Sequence, residues 1–104
     1  MPSTRYEILL PLQYNDGTDI EAEKFELTWT ELVDCFGAVT IEPQSLRGFW
    51  IYDGERFEDV LVRLTVDVPD SQATRQFFAA YKERLKERFQ QLDIWITAQQ
   101  LRIV

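Results

Sequence analysis

The side chains best suited to acid–base chemistry are carboxylates close to a predicted aromatic cluster. Glu58 and Asp59 stand just after a predicted hairpin, at the start of an alternating apolar strand. A carboxylate that faces an aromatic pocket has a raised pKa and can serve as a general base. Carboxylates that instead pair with Arg56 or Arg63 at the surface contribute about 0–1 kcal/mol and no catalysis. We expect surface ion pairs here and keep a general base as the alternative.

A second acidic group follows the first predicted strand, and its members are Asp16, Asp19, Glu21 and Glu23. Hard cations bind such carboxylates, but the residue spacing of a calcium loop is absent. We expect a solvated acidic loop and assign no metal site. A metal-dependent nuclease that uses Asp16 is the alternative.

The composition removes several classes of catalyst. The 104 residues include no histidine and a single cysteine, Cys35. Histidine-based triads, the commonest metal ligand and disulfide frameworks are therefore excluded. Because Cys35 lies between Val33 and Phe36, we expect it to be a small buried hydrophobe. No glycine-rich phosphate loop occurs, so we expect no nucleotide cofactor.

Charge and hydropathy limit the partners and the location. The net charge of −7 argues against nucleic acid, because its binders neutralise phosphates. The first 59 residues are strongly acidic and the rest weakly basic, which favours either a solvated acidic surface or complementarity between two copies. No apolar run could span a membrane and no signal peptide is visible, so we expect a cytoplasmic protein. A solvated basic helix face is expected from Lys82, Arg84, Lys86 and Arg88.

Hydrophobic periodicity predicts six elements that must position these side chains. Strands are predicted over 5–12, 38–42 (resuming at 47–52 after Pro43), 57–68 and 92–97 (continuing toward 104), and helices over 28–36 and 71–90. Even-numbered residues over 60–68 and 92–96 are expected to point at the helices. Residues 17–26 are expected to form a loop.

Turn and capping residues separate these elements. Thr28 and Glu31 have the spacing of a capping box, which predicts the start of the first helix. Gly37 suits the left-handed position after that helix. Asp53-Gly54 predicts a type I′ hairpin turn, and Ser71 is expected to cap the second helix.

The order strand, helix, strand, strand, helix, strand predicts a single α+β domain over residues 1–104. This is the ferredoxin-like βαββαβ sandwich, an antiparallel sheet with two helices on one face. Alternation places Arg63 and Trp95 on the helix-free face. One register of 47–52 adds Trp50 and Tyr52, whereas a bulge would turn these two inward. Large apolar side chains on an open face form a patch that needs a cover.

Three short motifs resemble an uncharacterised bacterial family of small proteins. They are Gly37-Ala-Val-Thr-Ile41, then Gly48-Phe-Trp50, and then Gly54 and Glu58 ahead of the strand that ends at Val68-Pro-Asp70. The resemblance covers roughly half the chain, which departs from the family in lacking a visible secretion signal. It implies a ferredoxin-like fold with no assigned activity and no catalytic residues.

Two functional hypotheses follow. The first is a non-catalytic interaction or accessory module that pairs with itself or with another protein through the open sheet face. The second is a cofactor-independent enzyme of the dimeric α+β barrel type, an isomerase or oxygenase acting on a small aromatic compound. Its pocket would have Trp50, Tyr52 and Trp95 as walls, and Arg63 with Glu58 or Asp59 as polar groups.

Overall fold

Six elements follow one another in the predicted order. The computed structural model describes residues 2–104, with the backbone alone for residues 43–45. The bounds are β1 Pro2–Pro11, α1 Ala22–Phe36, β2 Thr40–Tyr52, β3 Glu55–Pro69, α2 Gln72–Arg88 and β4 Trp95–Arg102.

The four strands form one antiparallel sheet in the order β2-β3-β1-β4. Both helices share a core with only one face of this sheet, because the buried strand residues and the buried helix residues form a single cluster. The predicted α+β, ferredoxin-like class is therefore confirmed. β2 and β4 are the two edges of the sheet.

Strict alternation along β3 and β1 builds the sheet side of the core. Leu64, Val66 and Val68 are buried, as are Ile8 and Leu10 on β1. Buried helix side chains cover them, namely Leu32, Phe78, Tyr81, Leu85 and Phe89. The predicted direction of the even-numbered residues of β3 is confirmed.

The predicted start of α1 is wrong. The helix begins at Ala22, inside the segment expected to be a loop, and Thr28 is a buried mid-helix residue. Its hydroxyl donates to the Lys24 carbonyl at 2.7 Å instead of capping a helix end. The extra turns form because Phe25 packs edge-on against Phe89 of the other helix, with ring centroids 5.2 Å apart. Tertiary packing thus overrides the acidic character of the segment.

The predicted break in β2 at Pro43 is also corrected. β2 is one strand over Thr40–Tyr52, and a shift in its pairing with β3 occurs between Glu42 and Leu46. A bulge on an edge strand accommodates a proline without ending the strand.

The last strand lies further along the chain than predicted. β4 begins at Trp95, and Leu92 is exposed instead of pointing at the helices. Ile94 is buried, and Trp95 is 62% exposed on the opposite side, as predicted. Leu92 departs from the pattern because it belongs to the loop before the strand.

The turn and cap predictions hold where they depend on local backbone geometry. Asp53 and Gly54 have φ of 51° and 77°, and Gly37 has φ of 83° after α1. The Ser71 hydroxyl accepts from the Thr74 amide at 3.1 Å. Two side-chain predictions are wrong, since Cys35 is exposed on α1 and Arg88 is inserted between the helices.

Of the two helices described, neither has the length and apolar character required to cross a membrane.

Candidate functional site

The register of the β2–β3 hairpin decides where its aromatic residues point. Trp50 lies opposite Phe57 and Tyr52 lies opposite Glu55. Phe57 and Glu55 belong to the same odd-numbered set of β3 residues as Asp59 and Leu61. Directly opposed residues of an antiparallel pair share one face. Trp50 and Tyr52 therefore stand on the helix-free face, which confirms one of the two predicted registers. The bulge in β2 does not turn them inward, because the shift between Glu42 and Leu46 spans two residues and leaves the alternation unchanged.

The hairpin extends past the rest of the sheet. The β1–β3 ladder ends at Pro11 opposite Leu61, whereas the β2–β3 ladder continues to Tyr52 opposite Glu55. At about 3.3 Å per residue, the hairpin overhangs β1 by about 20 Å. We call residues 46–61 the overhanging hairpin.

An open cleft of about 730 Å³ lies between the overhanging hairpin and the start of β4. Trp50 and Tyr52 line one side, and Leu92 and Trp95 line the other. The remaining lining comes from Leu9, Pro11, Gly48, Phe49, Asp59, Leu61, Lys86, Gln91, Asp93 and Ile94. The cleft is therefore mainly apolar, with a few polar groups.

Aromatic packing holds the hairpin side of the cleft in place. The Trp50 ring stacks on Phe57 at 4.7 Å between centroids and lies 6.2 Å from the Tyr52 ring. The Trp50 indole N–H donates to Asp59 Oδ2 at 2.6 Å. This bond fixes both the indole plane and the carboxylate, and it places one negative charge against the aromatic surface.

The other charged groups of the cleft are already paired. Lys86 Nζ lies 3.3 Å from a carboxylate oxygen of Glu83, and Asp93 Oδ1 lies 3.1 Å from Lys82 Nζ. Among the residues that line the cleft, Asp59 alone contributes a carboxylate from the sheet itself. The arrangement suits a planar apolar ligand or another protein surface, with Asp59 as the carboxylate of the cleft that has no ion-pair partner among the described residues.

The remainder of the helix-free face is ionic. Arg63 Nη1 donates to Glu42 at 3.0 Å, and Arg63 Nε is 3.8 Å from Glu7. Arg5 forms two parallel hydrogen bonds with Asp67, at 2.8 and 2.9 Å. Those bonds lower the pKa of the Asp67 carboxyl. The face thus has an apolar half beside the hairpin and an ionic half in which two arginines pair with three carboxylates.

The structure brings together four of the six predicted site residues. Trp50, Tyr52, Asp59 and Trp95 line the cleft. Arg63 is on the same face but in its ionic half. Glu58 lies on the opposite face, where its carboxylate accepts from Arg47 Nε at 3.0 Å. A polar pair formed by Arg63 and Glu58 is therefore not assembled.

The acidic loop has no vacant carboxylate cluster. Asp16 accepts from both the amide and the hydroxyl of Thr18, at 2.9 and 2.6 Å, and these bonds lower its pKa. Glu21 accepts from the Tyr14 hydroxyl. Within residues 2–104, leaving aside the side chains of 43–45, no three potential metal ligands gather at one point.

Several cleft residues were not among the predicted site residues. Leu61 has a sequence signal, because it belongs to the odd-numbered alternation of β3 on the open face. Lys86 and Leu92 have none, because α2 and the loop after it reach the cleft only through tertiary packing.

The fold is similar to that of several solved proteins. A phage SAM lyase in complex with S-methyl-5′-thioadenosine has a TM-score of 0.71 and 15% identity, over 93% of this chain and 80% of that one. The divalent cation tolerance protein CutA1 from Thermus thermophilus has a TM-score of 0.63 and 22% identity, over 97% and 84%. A CutA1 variant from Pyrococcus horikoshii has a TM-score of 0.61 and 16% identity, over 97% and 85%.

These likenesses define the class of the protein as a small ferredoxin-like α+β domain. At such identities they show the fold alone. No known protein family and no curated protein matches the chain. The resemblance to an uncharacterised bacterial family therefore stays a prediction.

Proposed function

We propose that the protein is an interaction module that forms a homodimer through its helix-free sheet face. The observation that carries this proposal is the apolar half of that face, where Trp95 is 62% and Tyr52 53% exposed. A contiguous apolar patch of this kind is typical of an interface. An accessory role in the cytoplasm is part of the same proposal.

A second copy of this chain suits the face better than an acidic partner. Both arginines of the ionic half are already paired within the chain, Arg5 with Asp67 and Arg63 with Glu42 and Glu7. A twofold contact can therefore bury apolar against apolar surface and leave these pairs intact. A partner with unpaired acidic groups would find both arginines of this half already paired. A different apolar partner protein is the competing occupant.

Replacing Trp95 by Asp tests the interface. We expect light scattering coupled to size exclusion to give twice the chain mass of 12.3 kDa for the wild type. Trp95→Asp should give the monomer mass at the same micromolar concentration, because it places a charge in the apolar half. Leu27→Asp is the matched control, since Leu27 is half exposed on α1 and should leave the dimer unchanged.

A monomeric wild type would contradict self-association and favour another partner protein. A dimer that survives Trp95→Asp would place the interface elsewhere on the chain. Circular dichroism of both variants shows whether each retains the fold.

A second candidate function, a cofactor-independent enzyme or binding protein for a small aromatic compound, is favoured by the cleft itself. Its volume of about 730 Å³ lies within the range of about 300–1,000 Å³ for small-molecule sites. Trp50 and Trp95 offer ring faces, and Asp59 offers a fixed carboxylate that could act as a base in an isomerase or oxygenase. The phage SAM lyase, whose structure holds S-methyl-5′-thioadenosine, supports a purine-like ligand as the first probe.

Fluorescence titration with S-methyl-5′-thioadenosine tests this candidate. Stacking on tryptophan should quench the emission saturably, and Trp50→Ala should weaken binding at least tenfold. Asp59→Asn retains an acceptor for the indole N–H and should keep binding if the carboxylate serves chemistry alone. Absence of saturable quenching by this and other aromatic probes would leave the interaction module as the function.

A further inference from the structure

The overhanging hairpin is a two-stranded ribbon with large apolar side chains on both faces. Trp50 and Tyr52 occupy the open side, whereas Phe49 and Ile51, 54% and 75% exposed, occupy the other. Arg56 partly covers Phe49, with its guanidinium 5.2 Å from the ring centroid. Two-stranded ribbons are only marginally stable in water, and a third strand normally supports them. Within residues 2–104, no strand of this chain pairs with the outer edge of β2.

β4 forms the other edge of the sheet, and its residues 95–101 have none of the features that normally prevent an edge strand from pairing. Residues 95–101 carry no charge and no proline. The β1–β4 register runs without a shift from Leu9 opposite Trp95 to Pro2 opposite Arg102, so the strand has no bulge. Natural edge strands are normally protected by one of these devices. β2, by contrast, has a charged residue, a proline and a bulge in its first half.

We propose that β4 of one copy forms a β-ladder with residues 46–52 of β2 in a second copy. This inference rests on the proposed self-association and adds the strands that join. The two segments are similar in length, since residues 46–52 of β2 are seven residues and β4 has eight. Pairing β4 with a second β4 would leave the ribbon two-stranded, whereas pairing it with β2 supports the ribbon and covers the unprotected edge.

Edge pairing is compatible with contact between the open faces. Two four-stranded sheets that face each other and join at both edges form a closed eight-stranded barrel. Closure removes every free edge. The cleft of each copy then lies inside the barrel, with Trp50 and Trp95 on its inner surface.

Hydrogen–deuterium exchange at two protein concentrations tests the ladder directly. Amides of residues 46–52 and 95–102 should exchange at least tenfold more slowly at the concentration where light scattering shows association. The loop over residues 13–19 is the internal control and should not change. A dimer without slower exchange in these two segments would overturn the ladder and leave the open-face proposal standing. A monomer at every concentration would overturn both.

Charge pairs distinguish β2 from β4 as the partner strand. Ala98 and Ile51 are exposed on the helix side of their strands, opposite Tyr6 and Arg56. The double variant Ala98→Lys with Ile51→Glu should dimerise about tenfold more tightly than Ala98→Glu with Ile51→Glu, because cross-strand charges then attract instead of repelling. Equal dissociation constants for the two double variants would overturn the pairing in which Ala98 of β4 lies opposite Ile51 of β2, which is the register we propose.

Discussion

Glu31 is the residue on which the two helices converge. Its carboxylate accepts from the Tyr81 hydroxyl at 3.0 Å and pairs with Arg88 at 2.6 Å and Arg84 at 3.1 Å. Arg88 also donates to the hydroxyl of Thr28 at 2.9 Å. Burial opposes ionisation of Glu31, but the bonds from Arg88 and Tyr81 outweigh it and lower its pKa. Burial, with the Glu31 charge, raises the pKa of Tyr81.

Replacing Glu31 by Gln should lower the free energy of unfolding at pH 7 by about 1–3 kcal/mol, because Arg88 keeps its partly buried position without an opposite charge. The pKa of Glu31 is lower in the folded state, so its contribution is present above 4.5, the ordinary value for this carboxyl, and is lost as the pH falls through the folded-state pKa. Urea unfolding at pH 7 and pH 3 measures this change.

Glu83→Gln is the control for that prediction, since Glu83 pairs with Lys86 in solvent and its loss should cost less than about 0.5 kcal/mol. A Glu31→Gln penalty that is equally large at pH 3 would show that the charge of Glu31 is not what stabilises the helix pair.

The two helices differ in whether a side-chain hydrogen bond caps their first turn. α2 begins at Ser71, which has extended backbone angles and accepts from the Thr74 amide. α1 begins at Glu21 with no side-chain cap bond. The first helix is therefore held by its packing, chiefly Leu32 and the Phe25–Phe89 contact, and the second by its cap as well.

Replacing Ser71 by Ala should destabilise the protein by about 1 kcal/mol, because one amide of the first turn of α2 loses its acceptor. Ser71→Asp keeps an acceptor at the same place and should remain within about 0.5 kcal/mol of the wild type. Thermal unfolding followed by circular dichroism compares the three proteins. An Asp variant as unstable as the Ala variant would argue against the cap as the cause.

The helices cover the two faces of the sheet unequally. Helices cover one face of the sheet, while within residues 2–104 no helix packs on the other face or on the overhanging hairpin. Self-association links stability to concentration, because any species that binds only the folded chain shifts the unfolding equilibrium.

The melting temperature of the wild type should therefore rise with protein concentration, by several degrees over a hundredfold range. Trp95→Asp should show a melting temperature that does not depend on concentration. Differential scanning calorimetry at matched concentrations measures both. A wild-type value independent of concentration would contradict a dimer in this range.

Much of the architecture follows from patterns among residues that are close together in the sequence. The alternation through β3 and the Asp53-Gly54 turn predicted the central strand, the hairpin and the direction of Trp95. The capping-box pattern at Thr28 misled because it matched a few consecutive residues, while the true helix start depends on Phe25 meeting Phe89 from the other end of the chain. Cys35 and Arg88 were misjudged for the same reason, since helical periodicity does not show which side meets a second helix.

The sequence by itself determined which residues share a face, because that property depends only on the repeat of a single strand or helix. Only the tertiary structure decided which of those residues meet. The end of β1 at Pro11 set the length of the overhang, and because the shift between Glu42 and Leu46 spans two residues, Trp50 and Tyr52 stayed on the face of Trp95. Such offsets arise from pairing between distant segments, and no local repeat of residues contains them.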